Sequence, residues 1–308
     1  MANMESRWPW FVGLAVERFE KWCTALKPSH TEQGLASILP PLDVLMVWHA
    51  YLLNPGCYAE DGIRVKALEG LQQAGEDLAA ALSISADPSN TRIHNWVEMT
   101  STPFDPFQSA EHLMSRDILC PKCSTTVQAP YMTVEGTGYL QPGFSLTCTR
   151  KTCQFTITLI KRVILRALSL HLSESPLSEA ARFDSVMTSA DYNMDAVRQM
   201  LTVSMNDGKF IDRIMSAYVD DKIFSVELIG AVLRQGSFVT KMHNFQWTRP
   251  AFFDKFEEQI ALHHIIARYH AFMELMSSSP GTFLVPTLDI DLAWHTHQLM
   301  ARQVINLG

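Results

Sequence analysis

Apolar residues recur at spacings of three and four along most of the chain. Phe11, Leu14, Ala15, Phe19, Trp22 and Leu26 mark one stripe, and Phe256, Ile260, His264, Ala267, Ala271 and Leu275 mark another. This spacing places side chains on one face of a helix. Further helices are predicted over about 43–53, 62–82, 160–172, 177–203, 211–218 and 226–233, with a last one opening near Asp289. The period stops between 83 and 110, where Asp87-Pro88-Ser89-Asn90 and Ser101-Thr102-Pro103-Phe104-Asp105-Pro106 carry turn chemistry, so this stretch reads as a connector. From 118 to 160 the β-branched clusters Thr125-Thr126-Val127, Tyr131-Met132-Thr133-Val134 and Phe155-Thr156-Ile157-Thr158, punctuated by Gly136, Gly138 and Gly143, predict a small β insert. Ser277-Ser278-Ser279-Pro280-Gly281 turns the chain before its last helix. The expected fold is mainly α: an N-terminal helical part over 1–110, a β insert over 111–160, and a C-terminal helical part over 161–308 that packs with the first as one core.

The cysteines change the picture of the insert. Four of the six form Cys120-Pro121-Lys122-Cys123 and Cys148-Thr149-Arg150-Lys151-Thr152-Cys153. Two thiolates on each of two tight turns can converge on one zinc ion, and short strands bury too little surface to hold themselves without it. The spacing predicts a zinc ribbon in which four thiolates close the coordination shell, so the metal is structural. The rival reading, two disulfides, belongs to an oxidising compartment. Residues 1–11 include Glu5 and Arg7 and lack the apolar core of a secretory signal, so the expected location is the reducing cytoplasm. Cys23 lies on the first helical stripe and Cys57 follows a Pro-Gly turn, positions that suit packing.

Charge removes two classes of partner. Net charge is −7 with mean hydropathy +0.01, which argues against nucleic acid and against an anionic membrane surface. The longest apolar runs are broken by Asp43 and by Lys161, Arg162 and Arg166, so none is expected to span a bilayer.

A motif occurs twice. Pro40-Pro41-Leu42-Asp43 through Trp48-His49 to Leu53 matches Pro286-Thr287-Leu288-Asp289 through Trp294-His295 to Leu299, with Pro, Leu, Asp, Trp, His and Leu at the same offsets 246 residues apart. Trp and His are uncommon enough that their joint recurrence marks an internal repeat. Asp43 and Asp289 each precede a helical pattern and read as N-caps. The two tryptophans bring large apolar area and an indole N–H that needs a partner if buried, and the two helices are expected to pack against each other.

The same residues carry a resemblance. Pro286 to Leu299, together with Trp48-His49, Leu53-Asn54-Pro55, Tyr58 and Asp61, resembles the glycine-rich domain-containing protein-like family, a plant and fungal domain without an agreed reaction. The cysteine insert, the stretch from Leu228 to Phe238 and Arg268-Tyr269 with Phe272 resemble fungal members in particular. The sequence departs from the family pattern in lacking a glycine-rich tail and in carrying Met300-Ala301-Arg302-Gln303-Val304 where Pro-x-x-Tyr is expected after Leu299, so the C-terminus reads as shortened or divergent.

On a helix, residues four apart share a face, being separated by about 40°. Asp291 and His295 can therefore converge, and if the paired helices bring His49 to them, two histidines and one carboxylate form the ligand set of non-haem iron and of some catalytic zinc sites. Two functions follow. In the first, the duplicated motifs form a central structural or small-ligand-binding site without catalysis. In the second, His49, Asp291 and His295 are the catalytic residues of a metal-dependent enzyme, holding a second metal and acting on a small molecule, in fungal metabolism on the family resemblance. The histidine beside a tryptophan on an apolar face is more often a packed residue with a satisfied hydrogen bond, which favours the first. Motifs for serine acyl transfer, P-loop phosphoryl transfer, dinucleotide binding and zincin proteolysis do not occur.

Overall fold

A computed structural model describes residues 4–31, 35–82, 88–120, 122–158 and 222–300. Helix α1 (Met4–Ala25) is the element against which the others assemble. Its predicted stripe is buried, with Leu14, Ala15, Phe19, Trp22 and Leu26 all at most 4% exposed. Burial extends beyond that stripe to Val12, Val16, Glu17, Arg18 and Glu20, so α1 is covered on more than one face. One face meets helices, the other the cysteine insert.

Helices α2 (Pro28–Thr31), α3 (Leu42–Leu52), α4 (Pro55–Arg64) and α5 (Glu69–Leu82) follow, with 3-10 turns at Leu35–Ser37 and Lys66–Leu68. The single helix predicted over 62–82 is divided, because Val65 adopts extended backbone (φ −107°, ψ 98°) between α4 and the turn that leads into α5. The connector predicted over 83–110 contains helices α6 (Asn90–Thr100) and α7 (Pro106–His112). Capping overrides the weak apolar period there: Ser89 Oγ accepts from the Arg92 amide at 3.2 Å, and Asp105 accepts from the amides of Phe107 and Gln108 at 2.8 and 2.9 Å, with Pro106 at the first helical position.

The insert consists of two antiparallel pairs. Strand β1 (Ser115–Leu119) pairs with β2 (Thr126–Pro130), and β3 (Ser145–Thr147) pairs with β4 (Thr156–Thr158). The strand expected at 131–134 is instead a turn: the Gln141 side chain accepts from the amides of Thr133 and Gly138 at 2.9 and 2.7 Å, and Gly136 takes φ +78°. A left-handed backbone and side-chain satisfaction of the amides leave no ladder to form there.

Three helices close the described chain: α8 (Leu228–Asn244), α9 (Phe256–Ser278) and α10 (Leu288–Gln298). The helix predicted over 226–233 is the opening of α8. Those predicted over 160–172, 177–203 and 211–218 lie outside the described residues. Helix α9 is present where the period places it, but its apolar stripe is not the buried one. Ile265, Tyr269 and Phe272 are buried, whereas Phe256, Ile260, His264 and Leu275 are exposed. Tyr269 and Phe272 face α10, and that contact, rather than the count of apolar residues per face, sets the rotation of the helix.

The main core gathers α1, α3, α4, α5, Trp96 of α6, Phe224, and Leu228, Ala231 and Val232 of α8. Residues from both ends of the chain thus share it. A second cluster belongs to the insert and takes in Leu14 of α1; a third joins Tyr269 and Phe272 of α9 to Ile290 of α10. Among the described residues no helix is long and apolar enough to cross a membrane.

Candidate metal centre

Each cysteine pair sits on a turn closed in the same way. The Ser124 amide donates to the Cys120 carbonyl at 2.9 Å, the Gln154 amide donates to the Arg150 carbonyl at 3.1 Å, and the residue after each second cysteine, Ser124 or Gln154, is left-handed at φ 56° and 46°. A non-glycine residue there marks a backbone held by its surroundings. The strands then bring the two turns together: Cys120 Sγ lies 3.8 Å from Cys153 Sγ and Cys123 Sγ 3.6 Å from Cys148 Sγ, with all four sulfurs within 4.8 Å of one another. These separations exceed the about 2.05 Å of a disulfide. They match the about 3.8 Å between thiolates at the corners of a tetrahedron with 2.3 Å metal–sulfur bonds. All six cysteines are free thiols.

The four sulfurs are electrostatically unequal. Burial pushes the Cys120 thiol up to about 12, whereas hydrogen bonding to Thr125, whose Oγ1 lies 3.3 Å away, draws Cys123 down to about 6. A cation at the centre would favour the thiolate form of all four. Cys23 is buried in the main core with its thiol pushed up by burial, as expected of a packing residue, and Cys57 lies against that core.

The duplicated motifs occupy two different environments. Asp43 and Asp289 stand inside the first turns of α3 and α10, after Pro41 and Thr287 at the cap positions, so neither is the N-cap that the sequence suggests. Each binds an arginine of another helix instead: Asp43 Oδ2 lies 3.2 Å from Arg18 Nε of α1, and Asp289 Oδ2 lies 2.7 Å from Arg268 Nη1 of α9. One turn beyond each arginine, an aromatic residue meets the tryptophan of the motif, with Trp22 and Trp48 centroids 5.3 Å apart and Phe272 and Trp294 centroids 6.0 Å apart. The residue after each arginine contacts the position eight beyond each aspartate, as Phe19 against Tyr51 at 6.2 Å and as a hydrogen bond of 2.6 Å between Tyr269 Oη and His297 Nδ1.

Trp48 is therefore a residue of the main core against α1, while Trp294 is half-buried against α9, and the two motif helices turn their tryptophans to separate partners. The indole N–H groups of Trp22 and Trp48 are buried without a hydrogen-bond partner, contrary to the expectation for Trp48. Asn54 and Arg92 fix the ends of α3: the Asn54 amide group donates to Ala50 O at 2.9 Å, and Arg92 donates to Leu39 O and Pro40 O, each at 2.6 Å.

His295 Nε2 lies 3.4 Å from Asp291 Oδ1, one turn earlier, and its ring lies 4.3 Å from that of Phe238 on α8. Its Nδ1 is buried without a partner. Burial, then the nearby His295, holds His49 below the ordinary histidine value, and burial holds His295 below it against the pull of Asp291. Both imidazoles are neutral near pH 7. Among the described residues, the four cysteines are the group whose ligand atoms meet within 4.8 Å; His49, Asp291 and His295 are not gathered in that way.

The model of the glycine-rich domain-containing protein-like family matches residues 177–304. The match takes in α8, α9, α10 and the second motif, and leaves out the cysteine insert and the first motif. Glycine-rich domain-containing protein 2 of Arabidopsis thaliana is 36% identical over 93 residues, which cover 28% of this chain and 10% of that protein. The chain thus matches about a tenth of the length of that relative. No solved structure matches the chain.

Sequence reasoning did not single out Glu17, Glu20, Arg116, Tyr131 or Lys222, which form a buried polar cluster between α1 and the insert. The available signal was the run from Val12 to Trp22, where Glu17, Arg18, Glu20 and Lys21 interrupt an otherwise apolar stretch. Buried charges require partners, and charged residues within an apolar run of a core helix announce them.

Proposed function

We propose that this chain is a non-catalytic helical scaffold of the glycine-rich domain-containing protein-like type, built from a repeated two-helix unit and carrying a zinc ribbon whose metal is structural. The convergence of the sulfurs of Cys120, Cys123, Cys148 and Cys153 to within 4.8 Å of one another carries this reading. Four thiolates leave no open coordination position, so zinc there would hold the two turns together and catalyse nothing. The repeated unit is supported by the parallel contacts of its copies: arginine to aspartate, then aromatic to tryptophan, in α1 with α3 and again in α9 with α10. The histidine of each copy then serves the scaffold between these pairs.

Elemental analysis of the purified chain tests the proposal. One zinc per chain supports it; no metal, or zinc retained after all four cysteines are replaced by serine, overturns the ribbon. A second reading, a small-ligand or second-metal site at His49, Asp291 and His295, is favoured by one observation, the buried and unpartnered Nδ1 of His295. A second metal in addition to zinc, lost on Asp291→Asn, would establish that reading.

A further inference from the structure

The insert does not merely rest on α1. Gly13 admits Leu140 so closely that a Cβ there would stand 2.8 Å from its Cδ1, and Leu14 belongs to the core of the insert. Beside this apolar contact lies the charge cluster. Arg116 of β1 places Nη1 2.5 Å from Glu17 Oε2 and 2.8 Å from Glu20 Oε2, and Tyr131, just past β2, donates its hydroxyl to Glu17 Oε2 at 3.0 Å. Lys222 donates to Glu17 and, at 3.1 Å, to Glu20, while the Ile223 amide reaches Glu20 Oε1 at 3.4 Å. The Tyr139 ring of the insert lies under both cations, 5.4 Å from Arg116 Cζ and 5.6 Å from Lys222 Nζ. Among the described residues, the two carboxylates thus receive a cation from the insert and another from the segment that precedes α8.

That segment continues into the main core. Phe224 packs on Phe19 and Tyr51 at 5.1 and 5.2 Å, and Ser225 donates its amide and hydroxyl to the buried Asp61 at 2.7 and 2.9 Å. Glu227 then caps α8, whose Phe238 touches His295. The path from the cysteines to the second motif is therefore continuous: sulfurs, strands β1 and β2, the two glutamates, Lys222, α8.

We propose that metal occupancy of the four cysteines latches the segment 222–226 and the first turn of α8 to helix α1. This rests on the ribbon reading above. The two small sheets bury too little to stay folded unaided, so metal loss frees Arg116 and Tyr131. Glu17 and Glu20 then lose a guanidinium and Glu17 a hydroxyl donor at a buried site, a loss that is relieved by opening the site to water. Opening detaches Lys222 and the Ile223 amide, and the protein reports metal status at α8, far along the chain from the cysteines.

Amide hydrogen exchange on the full chain, loaded with zinc and then stripped by a chelator, tests the latch. The expected result is exchange at least tenfold faster at 222–226 and in the first turn of α8 after stripping, along with loss of protection in the insert. Arg116→Gln with zinc bound should reproduce the faster exchange at 222–226 while zinc content and insert protection stay as in the parent, and Arg116→Lys should restore part of the slow exchange. A chain that binds no zinc overturns the ribbon and the latch together. A chain that binds zinc, loosens its insert on stripping and keeps 222–226 unchanged overturns the latch alone, as does an Arg116→Gln protein whose 222–226 amides stay protected.

Discussion

Arg18 on α1 and Asp43 on α3 form an ion pair of 3.2 Å whose side chains are only 1% and 2% exposed. Arg18 also donates to the Phe104 carbonyl at 2.8 Å and lies over the Trp96 ring. Burial pushes the Asp43 carboxyl up despite the arginine, so the pair is dominated by what it costs to dry both groups. Its counterpart, Arg268 with Asp289, leaves the arginine 55% exposed. The same contact thus has unequal weight in the two motifs. Asp43→Asn strands a buried guanidinium and is expected to lower stability by about 3–5 kcal/mol, whereas Asp289→Asn should cost less than about 1 kcal/mol. Urea unfolding of the two variants measures the difference, and equal losses would refute it.

Replacing Cys123 by Ser removes one of the four converging sulfurs. Zinc content should fall well below one per chain, and protease sensitivity should appear between 115 and 158, while far-ultraviolet helical signal changes little because the main core lies on the other face of α1. Unchanged zinc stoichiometry would remove the ribbon assignment.

Asp291→Asn keeps shape and removes charge. If the residue only orients His295, stability should fall by about 1 kcal/mol or less through a weakened, partly exposed polar contact, with metal content untouched. Thermal melts and elemental analysis on this variant, taken together, decide between the scaffold and the second site; loss of a second metal at full stability is the outcome that favours the latter.

The neutral histidines predict a pH dependence. His49 and His295 are held below the ordinary value in the folded chain, and the unfolded chain titrates near about 6.5. The unfolded state therefore takes up protons first. Their contribution is complete above about pH 6.5 and is lost as pH falls through the folded values. Urea midpoints should decrease from pH 7.5 to 5.5, and His49→Gln should flatten that slope. A midpoint independent of pH over this range, or a slope unaltered by the substitution, would contradict the assignment.

Much of the helix content and the meeting of the four cysteines were legible along the chain because both are local. The three-and-four spacing of α1 buries as written, and the cysteine pairs need only short turns to present two sulfurs each, so their spacing is nearly a geometry in itself. The second motif was legible as a repeat of letters, Asp289 to Trp294 against Asp43 to Trp48. Its meaning was not. Arg18 and Arg268 lie 25 and 21 residues before their aspartates, Lys222 lies 205 residues from Glu17, and no local period encodes such pairs. The rotation of α9 was likewise decided by its neighbour: Tyr269 and Phe272 turn inward because α10 offers His297 and Trp294 to them, and the more apolar face, with Phe256, Ile260 and Leu275, turns outward. The chain by itself determined which sulfurs can meet and where most helices lie, though not α6, α7 or the break at Val65. Tertiary packing alone decided which charges are buried together, since the cost of drying a charge depends on partners that arrive from distant parts of the sequence.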